Sequence, residues 1–408
     1  MRLARWLALA LLALPLHAQK FYTYVGQIES KSALIAWGTV AGLGNTIGLT
    51  SVSFGRATVK IGETSAQTQQ NWIIVKDLRP DTEYPYEVTI NNRKIGQGTV
   101  RTYPERSNKL VFFVIGDYGI GNRRQYSVAD AMVQEYERRR ASDDPVRFVL
   151  TVGDNIYADP SFGLANPHSG DQDRDWEPKF FRPYERLIQH IPFYPTLGNH
   201  DGNGSEHHGD LAVYLDNFFF PEAKPARWYR FSFGELAEFF ALDSTENTEE
   251  GRPSPAYAPS GEQFRWLKQT LPQSRSPWKI PYFHHPPYNA GPRHGSSYDD
   301  LRHFVEFFQQ TGVKVVFTGH EHNFQFTDRT QTGGILYVIS GAGGELRSGN
   351  VTRKMERAKI AGWAAQNHFL VVEILDRTMK ITPVSYEAMT VKDKTGKRID
   401  MPLTVNLQ

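Results

Sequence analysis

Cysteine is absent from the 408-residue chain, which excludes disulfides, thiolate metal sites, a cysteine nucleophile and a cysteine-borne lipid anchor. An excess of charge of either sign is also lacking, since 46 Lys and Arg stand against 44 Asp and Glu, a formal net charge of +2. Such a balance gives no sequence-independent hold on nucleic acid, and no nucleic-acid partner is expected. Long apolar runs are missing as well. The run Trp6 to Leu16 falls far short of the roughly 20 residues that span a bilayer, so a membrane span is not expected. Arg2 and Arg5 precede that run and His17-Ala18-Gln19 follow it, so residues 1–18 read as a secretory signal peptide and not as a membrane anchor. The mature protein is therefore expected to be secreted or periplasmic. What is present is a globular composition, 40% hydrophobic, 22% charged and 13% aromatic. At roughly 150 residues per domain, the length predicts two or three domains.

The chain changes texture near Pro104. Residues 20–104 carry short β-rich runs broken by Gly, Asn and Pro: Ser32 to Trp37, Leu49 to Phe54, Asn71 to Val75, Tyr84 to Ile90 and Gln97 to Arg101. Seven or so such strands make an all-β sandwich. The stretch Leu78-Arg79-Pro80-Asp81-Thr82-Glu83-Tyr84 resembles the strand-entry corner of a fibronectin type III domain, with Tyr84 as corner tyrosine and Trp37 as core tryptophan. Residues 108–408 alternate apolar strands with amphipathic helices, which predicts a layered α/β domain. Leu110 to Ile115, Val146 to Val152, Lys279 to Phe283 and Val313 to Thr318 read as buried strands. Helices are expected after Ser127, after a Ser260/Gln263 capping box, and from Ser297 to a stop at Gly312. Ala158 to Glu177 and Ser244 to Pro259 read as surface loops, and His303 falls on the polar face of its helix.

Chemistry concentrates where the strands end. Gly116-Asp117-Tyr118-Gly119, Gly153-Asp154-Asn155-Ile156-Tyr157, Gly198-Asn199-His200-Asp201, His284-His285-Pro286 and Gly319-His320-Glu321-His322 each follow an apolar run. Ligands of open α/β sheets gather at the carboxyl ends of strands, so carboxylates, imidazoles, an amide and a phenol converging there predict a metal site of hard oxygen and imidazole ligands. Alone, each motif reads equally as a turn or a polar loop; the ordered set does not. Asp243 either supports the site or caps a strand end. Ser340-Gly341-Ala342-Gly343-Gly344 lacks the lysine of a phosphate loop and reads as a backbone turn.

From Lys109 to Gly344 this series resembles the five-motif signature of the metallophosphoesterases, and specifically of the purple acid phosphatases. Metallophosphoesterases generally carry Asp-x-His in the first motif, whereas here Gly119 occupies the histidine's place; Tyr157 stands where the purple enzymes carry a coordinating tyrosinate. The resemblance implies a first metal held by Asp117, Asp154, Tyr157 and His322, and a second held by the shared Asp154 with Asn199, His284 and His320. It also implies that His294 is a catalytic proton donor and His200 a catalytic, substrate-contacting histidine. His285 and Tyr288 become substrate-binding candidates at the rim. The glycine-rich loop histidines His207 and His208 read as polar rim.

Elementary chemistry supports a ferric ion at the Tyr157 site. A phenol with a pKa of about 10 ionises in neutral or acidic water only beside a strong Lewis acid. Fe(III) with a divalent Zn, Mn or Fe(II) at the Asn199 site, set against two carboxylates, a phenolate and a hydroxide, leaves one positive charge to attract an anionic ester. The expected activity is hydrolysis of phosphate monoesters by attack of hydroxide formed from a metal-activated water, making the protein an acid phosphatase acting on small phosphorylated substrates. A phosphodiesterase or nucleotide-processing hydrolase on the same centre is the alternative within enzymes, and an inert binding protein the alternative outside them. Oligomeric state is not legible.

Overall fold

The computed structural model describes residues 20–39, 55–157, 176–201, 211–218, 226–246 and 255–407. The leader expected over residues 1–18, the strand expected over Leu49 to Phe54, His207, His208 and most of the two long loops lie outside the described residues.

Alternating burial along Ala57–Ile61 and Glu83–Ile90 turns one face of each strand inward, the period-two pattern of a half-buried sheet. These strands join Thr64–Thr68 and Arg93–Arg101 in a four-stranded antiparallel sheet, opposite a three-stranded sheet of Phe21–Ile28, Ala33–Thr39 and Trp72–Val75. Trp37 is buried in the core the two sheets share. The Arg79 backbone N–H donates to the Tyr84 hydroxyl at 2.9 Å, the corner contact expected from the sequence.

The second unit is built of two mixed sheets, of six and seven strands among the described residues. Their inner faces meet through aromatic side chains. Phe112 of Lys109–Ile115 stands edge-on to Phe239 at 5.3 Å and to Phe317 at 6.2 Å, across the interface from its own sheet. Helix Arg123–Arg140 lies outside the first sheet, its Arg139 reaching Glu373 there at 3.0 Å. Helix Tyr298–Gln310 covers the second, with Phe304 and Phe308 packed on Phe283 and Val316. Helices thus flank a pair of packed sheets, a form of the layered α/β domain the sequence predicts.

Helix starts differ from the expectation in two places. Asn122, not Ser127, caps the first helix, its side-chain oxygen accepting from the Gln125 N–H at 2.9 Å, so the helix begins a turn earlier. The Ser260/Gln263 capping box does not form. Gln263 instead bonds the backbone of Asp243 in both directions, at 2.7 and 2.8 Å, a tertiary tie that outcompetes the local one. His303 is not on a solvated face either, since its ring stands edge-on to Phe264 at 4.6 Å.

The two units meet over a continuous aromatic contact. Tyr103 packs on Phe148 and Phe233, and its hydroxyl meets that of Tyr194 at 3.1 Å. Buried Arg147 bonds the Thr102 carbonyl at 2.6 Å and pairs with Asp81 at 3.2 Å. No helix among the described residues is long and apolar enough to cross a membrane.

Candidate metal centre

Lys109–Ile115, Val146–Thr151 and Phe193–Pro195 run parallel in one sheet, and Trp278–Tyr282 and Val315–Thr318 run parallel in the other. All five motifs follow the carboxyl ends of these strands. Asp117, Asp154 and His320 adopt left-handed backbone, with φ of 56°, 50° and 71°, which turns the chain sharply and aims each side chain back over the strand ends. Such conformations cost on the order of 1 kcal/mol each and persist where their surroundings over-determine them.

The side chains form two groups joined by one atom. The Tyr157 hydroxyl lies 3.2 Å from Asp117 Oδ1, 2.9 Å from Asp154 Oδ2 and 3.2 Å from His322 Nε2. On the other side of Asp154 Oδ2, His284 Nε2 lies at 3.3 Å. Asn199 Oδ1 closes that second group, 3.1 Å from His284 Nε2 and 3.0 Å from His320 Nδ1. The seven residues assigned by resemblance thus meet as two sets sharing Asp154.

Three of these side chains, Asp117, Asp154 and His284, are aimed by a bond on the far side. The His320 backbone N–H holds Asp117 Oδ2 at 2.9 Å, and that of His200 holds Asp154 Oδ1 at 2.9 Å, leaving the other oxygen of each carboxylate free to face inward. His284 Nδ1 lies 2.8 Å from the Val152 carbonyl, which fixes a proton there and reserves Nε2 for the centre. His284 Nε2 and His320 Nδ1 are only 3.2 Å apart, so a cation that displaced the proton between them would meet both nitrogens. Oxygen, imidazole and phenol donors fit two hard or borderline ions.

Electrostatics point the same way. Burial, reinforced by Asp117 and Asp154, pushes the Tyr157 phenol well above its ordinary value, so ionisation there requires a metal charge. Burial raises Asp117 too. At Asp154 burial is outweighed by His284 and His200, which hold its carboxyl well below the usual range. His284 is correspondingly raised to about 9, the attraction of Asp154 overcoming burial.

Gly119 explains its own departure from Asp-x-His. A β-carbon there would lie 1.7 Å from the Asn155 carbonyl oxygen, while the Gly119 carbonyl accepts from the Tyr157 N–H at 2.8 Å. The loop that delivers Tyr157 runs across the place a histidine would occupy.

Further histidines lie at the edges of both groups. His294 lies tilted against His320 at 42°, with ring centroids 4.0 Å apart, and is lowered to about 4 by burial and by Arg347. His285 lies 4.4 Å from the His320 ring with Nδ1 3.1 Å from the Ser244 hydroxyl, and burial with the neighbouring His284 lowers it to about 3. His200 stands over Tyr157 at 4.7 Å. Tyr288 is placed elsewhere: it is buried against Tyr298 and Tyr337, with the Lys359 ammonium 5.0 Å above its ring. An aromatic ring gains more from that cluster than from the polar rim.

Sequence reasoning left several supports unassigned. Asp201 accepts from the N–H groups of Gly198, Asn155 and Ile156 at 2.7, 2.7 and 3.1 Å, tying the Asn199 loop to the Asp154 loop; burial beside Asp154 raises it to about 8. Asp243 forms a fully buried ion pair with Arg227 at 2.6 Å, so it supports the fold behind the site as well as ending a strand. The turn Ser340 to Gly344 braces the first motif, with Gly343 N–H on the Gly116 carbonyl at 2.9 Å and Gly344 N–H on that of Asp117 at 3.0 Å.

The family model of the calcineurin-like phosphoesterases matches residues 110–324. An uncharacterized protein of Mycobacterium tuberculosis is 24% identical over 330 residues, which cover 74% of this chain and 60% of that protein. The chain therefore spans about 60% of the length of this curated relative. Purple acid phosphatase 3 of Arabidopsis thaliana is 25% identical over 295 residues, 68% of this chain and 75% of that protein. Among solved structures, the purple acid phosphatase from yellow lupin (Lupinus luteus) seeds superposes with a TM-score of 0.67 at 15% identity, over 95% of this chain and 74% of that one. At that identity the likeness is one of fold.

Proposed function

The chain belongs to the calcineurin-like phosphoesterase family, and from that premise we propose that it is an exported acid phosphatase of the purple type, hydrolysing phosphate monoesters. The observation that carries the reading is the convergence of Asp117, Tyr157 and His322 on one side of Asp154 Oδ2, and of Asn199, His284 and His320 on the other. Asp117, Asp154, Tyr157 and His322 would hold Fe(III), and Asp154, Asn199, His284 and His320 would hold Zn, Mn or Fe(II). Two ions so held would supply Lewis acidity toward the phosphoryl oxygens and lower the pKa of the attacking water.

The protein's own groups do the rest. His200 and His285 flank the two groups and contact the phosphoryl oxygens from the rim. His294 delivers a proton to the departing alkoxide. Because His294 is lowered to about 4, its donating form is present mainly in acid, which suits an acid phosphatase. Tyr288 holds the Pro287 to Gly295 loop through its aromatic contacts. Residues 1–18 direct export, and residues 20–104 form a fibronectin type III-like domain ahead of a catalytic domain over 108–408.

The test is hydrolysis of a monoester and a diester at equal concentration by protein loaded with iron and zinc. Faster monoester turnover supports the proposal. Diester preference would move it to a phosphodiesterase or nucleotide-processing hydrolase, and no hydrolysis after verified loading would make the protein an inert binder.

A further inference from the structure

We propose that Lys179 is a positioning residue for Tyr157, and that the N-terminal sandwich braces it there through the single turn Glu177–Phe181; the inference rests on the metal-centre reading above. The backbone of Tyr157 is pinned at both its polar groups. Its N–H donates to the Gly119 carbonyl at 2.8 Å, and its carbonyl accepts from the Lys179 ammonium. Lys179 is buried, which is costly for an ammonium unless it finds acceptors and nearby negative charge.

The turn bearing Lys179 faces two ways. Glu177 and Phe181, four residues apart, share the side toward the sandwich, and Lys179 between them takes the other. The Tyr22 hydroxyl donates to Glu177 Oε1 at 2.5 Å, and the Phe181 ring packs against Tyr22 at 5.8 Å and Tyr24 at 5.7 Å. Within the catalytic unit the turn is fixed again, because Gln125 Nε2 donates to the Lys179 carbonyl at 2.5 Å and the Tyr126 hydroxyl to that of Pro178 at 2.8 Å. A path therefore runs from Tyr22 to Glu177, along the turn to Lys179, and from its ammonium to Tyr157. It gives the sandwich a role in ligand placement that fold likeness does not supply.

The experiment compares the full mature chain with Lys179→Met and Tyr22→Phe, measuring three quantities. These are phenolate-to-iron absorbance per bound iron, the rate at which a chelator removes iron, and amide hydrogen exchange at Tyr157 in metal-free protein. Lys179→Met is expected to release iron about tenfold faster, lose absorbance per iron and exchange the Tyr157 amide about tenfold faster. Tyr22→Phe, a change of one oxygen, is expected to shift all three in the same direction by about twofold, and it carries the test should Lys179→Met not fold. Arg140→Gln, which removes a sandwich contact to Glu83 away from the turn, serves as control and should change none. Unchanged iron release and unchanged exchange in Lys179→Met, or in Tyr22→Phe if only that folds, would overturn the proposal. Absence of the band in the parent would instead count against the ferric reading, with hydrogen exchange still deciding whether Lys179 places Tyr157.

Discussion

The half of the centre built by Asp117, Tyr157 and His322 is buried and acidic, whereas the half built by Asn199, His284 and His320 opens to solvent at Asn199 and His320. The first half gathers a carboxylate and a phenol beside Asp154 in a dry setting, where an ion of high charge gains most from them and exchanges least. The second offers a neutral amide and imidazoles at an accessible edge flanked by His285 and His294, while His200 stands over Tyr157 of the first. One half is thus suited to holding an ion permanently, and the other to meeting a substrate.

Removing what the halves share should erase the contrast. Asp154→Ala is expected to strip both metals and lower kcat/KM by more than about a thousandfold, which elemental analysis and steady-state kinetics would check. Breaking one half alone should sharpen it: His322→Ala is expected to lose iron, while Asn199→Ala loses the divalent ion and keeps iron, each about a hundredfold weaker at the altered site. His294→Ala leaves both halves intact, so turnover should fall by about a hundredfold with metal content unchanged. The smallest effect is expected at Glu345, whose carboxylate lies 3.9 Å from His322 Nδ1. Glu345→Gln should weaken iron binding by about tenfold and leave the divalent ion unaffected, as competition with a chelator would show.

The convergence of the seven proposed ligand positions was legible because each lies within a few residues of an apolar strand end, where a short motif announces both the turn and the side chain. The double departure at Gly119 and Tyr157 was legible as a pair, and the contact of the Gly119 carbonyl with the Tyr157 N–H gives its cause. Supports were not legible. Lys179 meets Tyr157 across 22 residues, and Asp201 meets Asn155 across 46, with no periodicity to connect them. Gln263 reads as a local cap because propensity sees only neighbours, yet its side chain is taken by Asp243, 20 residues earlier. Tyr288 shows the same limit from the other direction. Its place near His294 in sequence suggests the rim, but Tyr298 and Tyr337 draw its ring into the core.

In the proposed centre Tyr157 is an ionised ligand of a ferric ion in the buried half. The measurement that tests it most directly is the visible absorption spectrum of the iron-loaded mature protein beside Tyr157→Phe, with iron content determined in both. The account predicts a broad phenolate-to-iron band in the parent and its loss in the variant. Full iron occupancy without that band in the parent would contradict it.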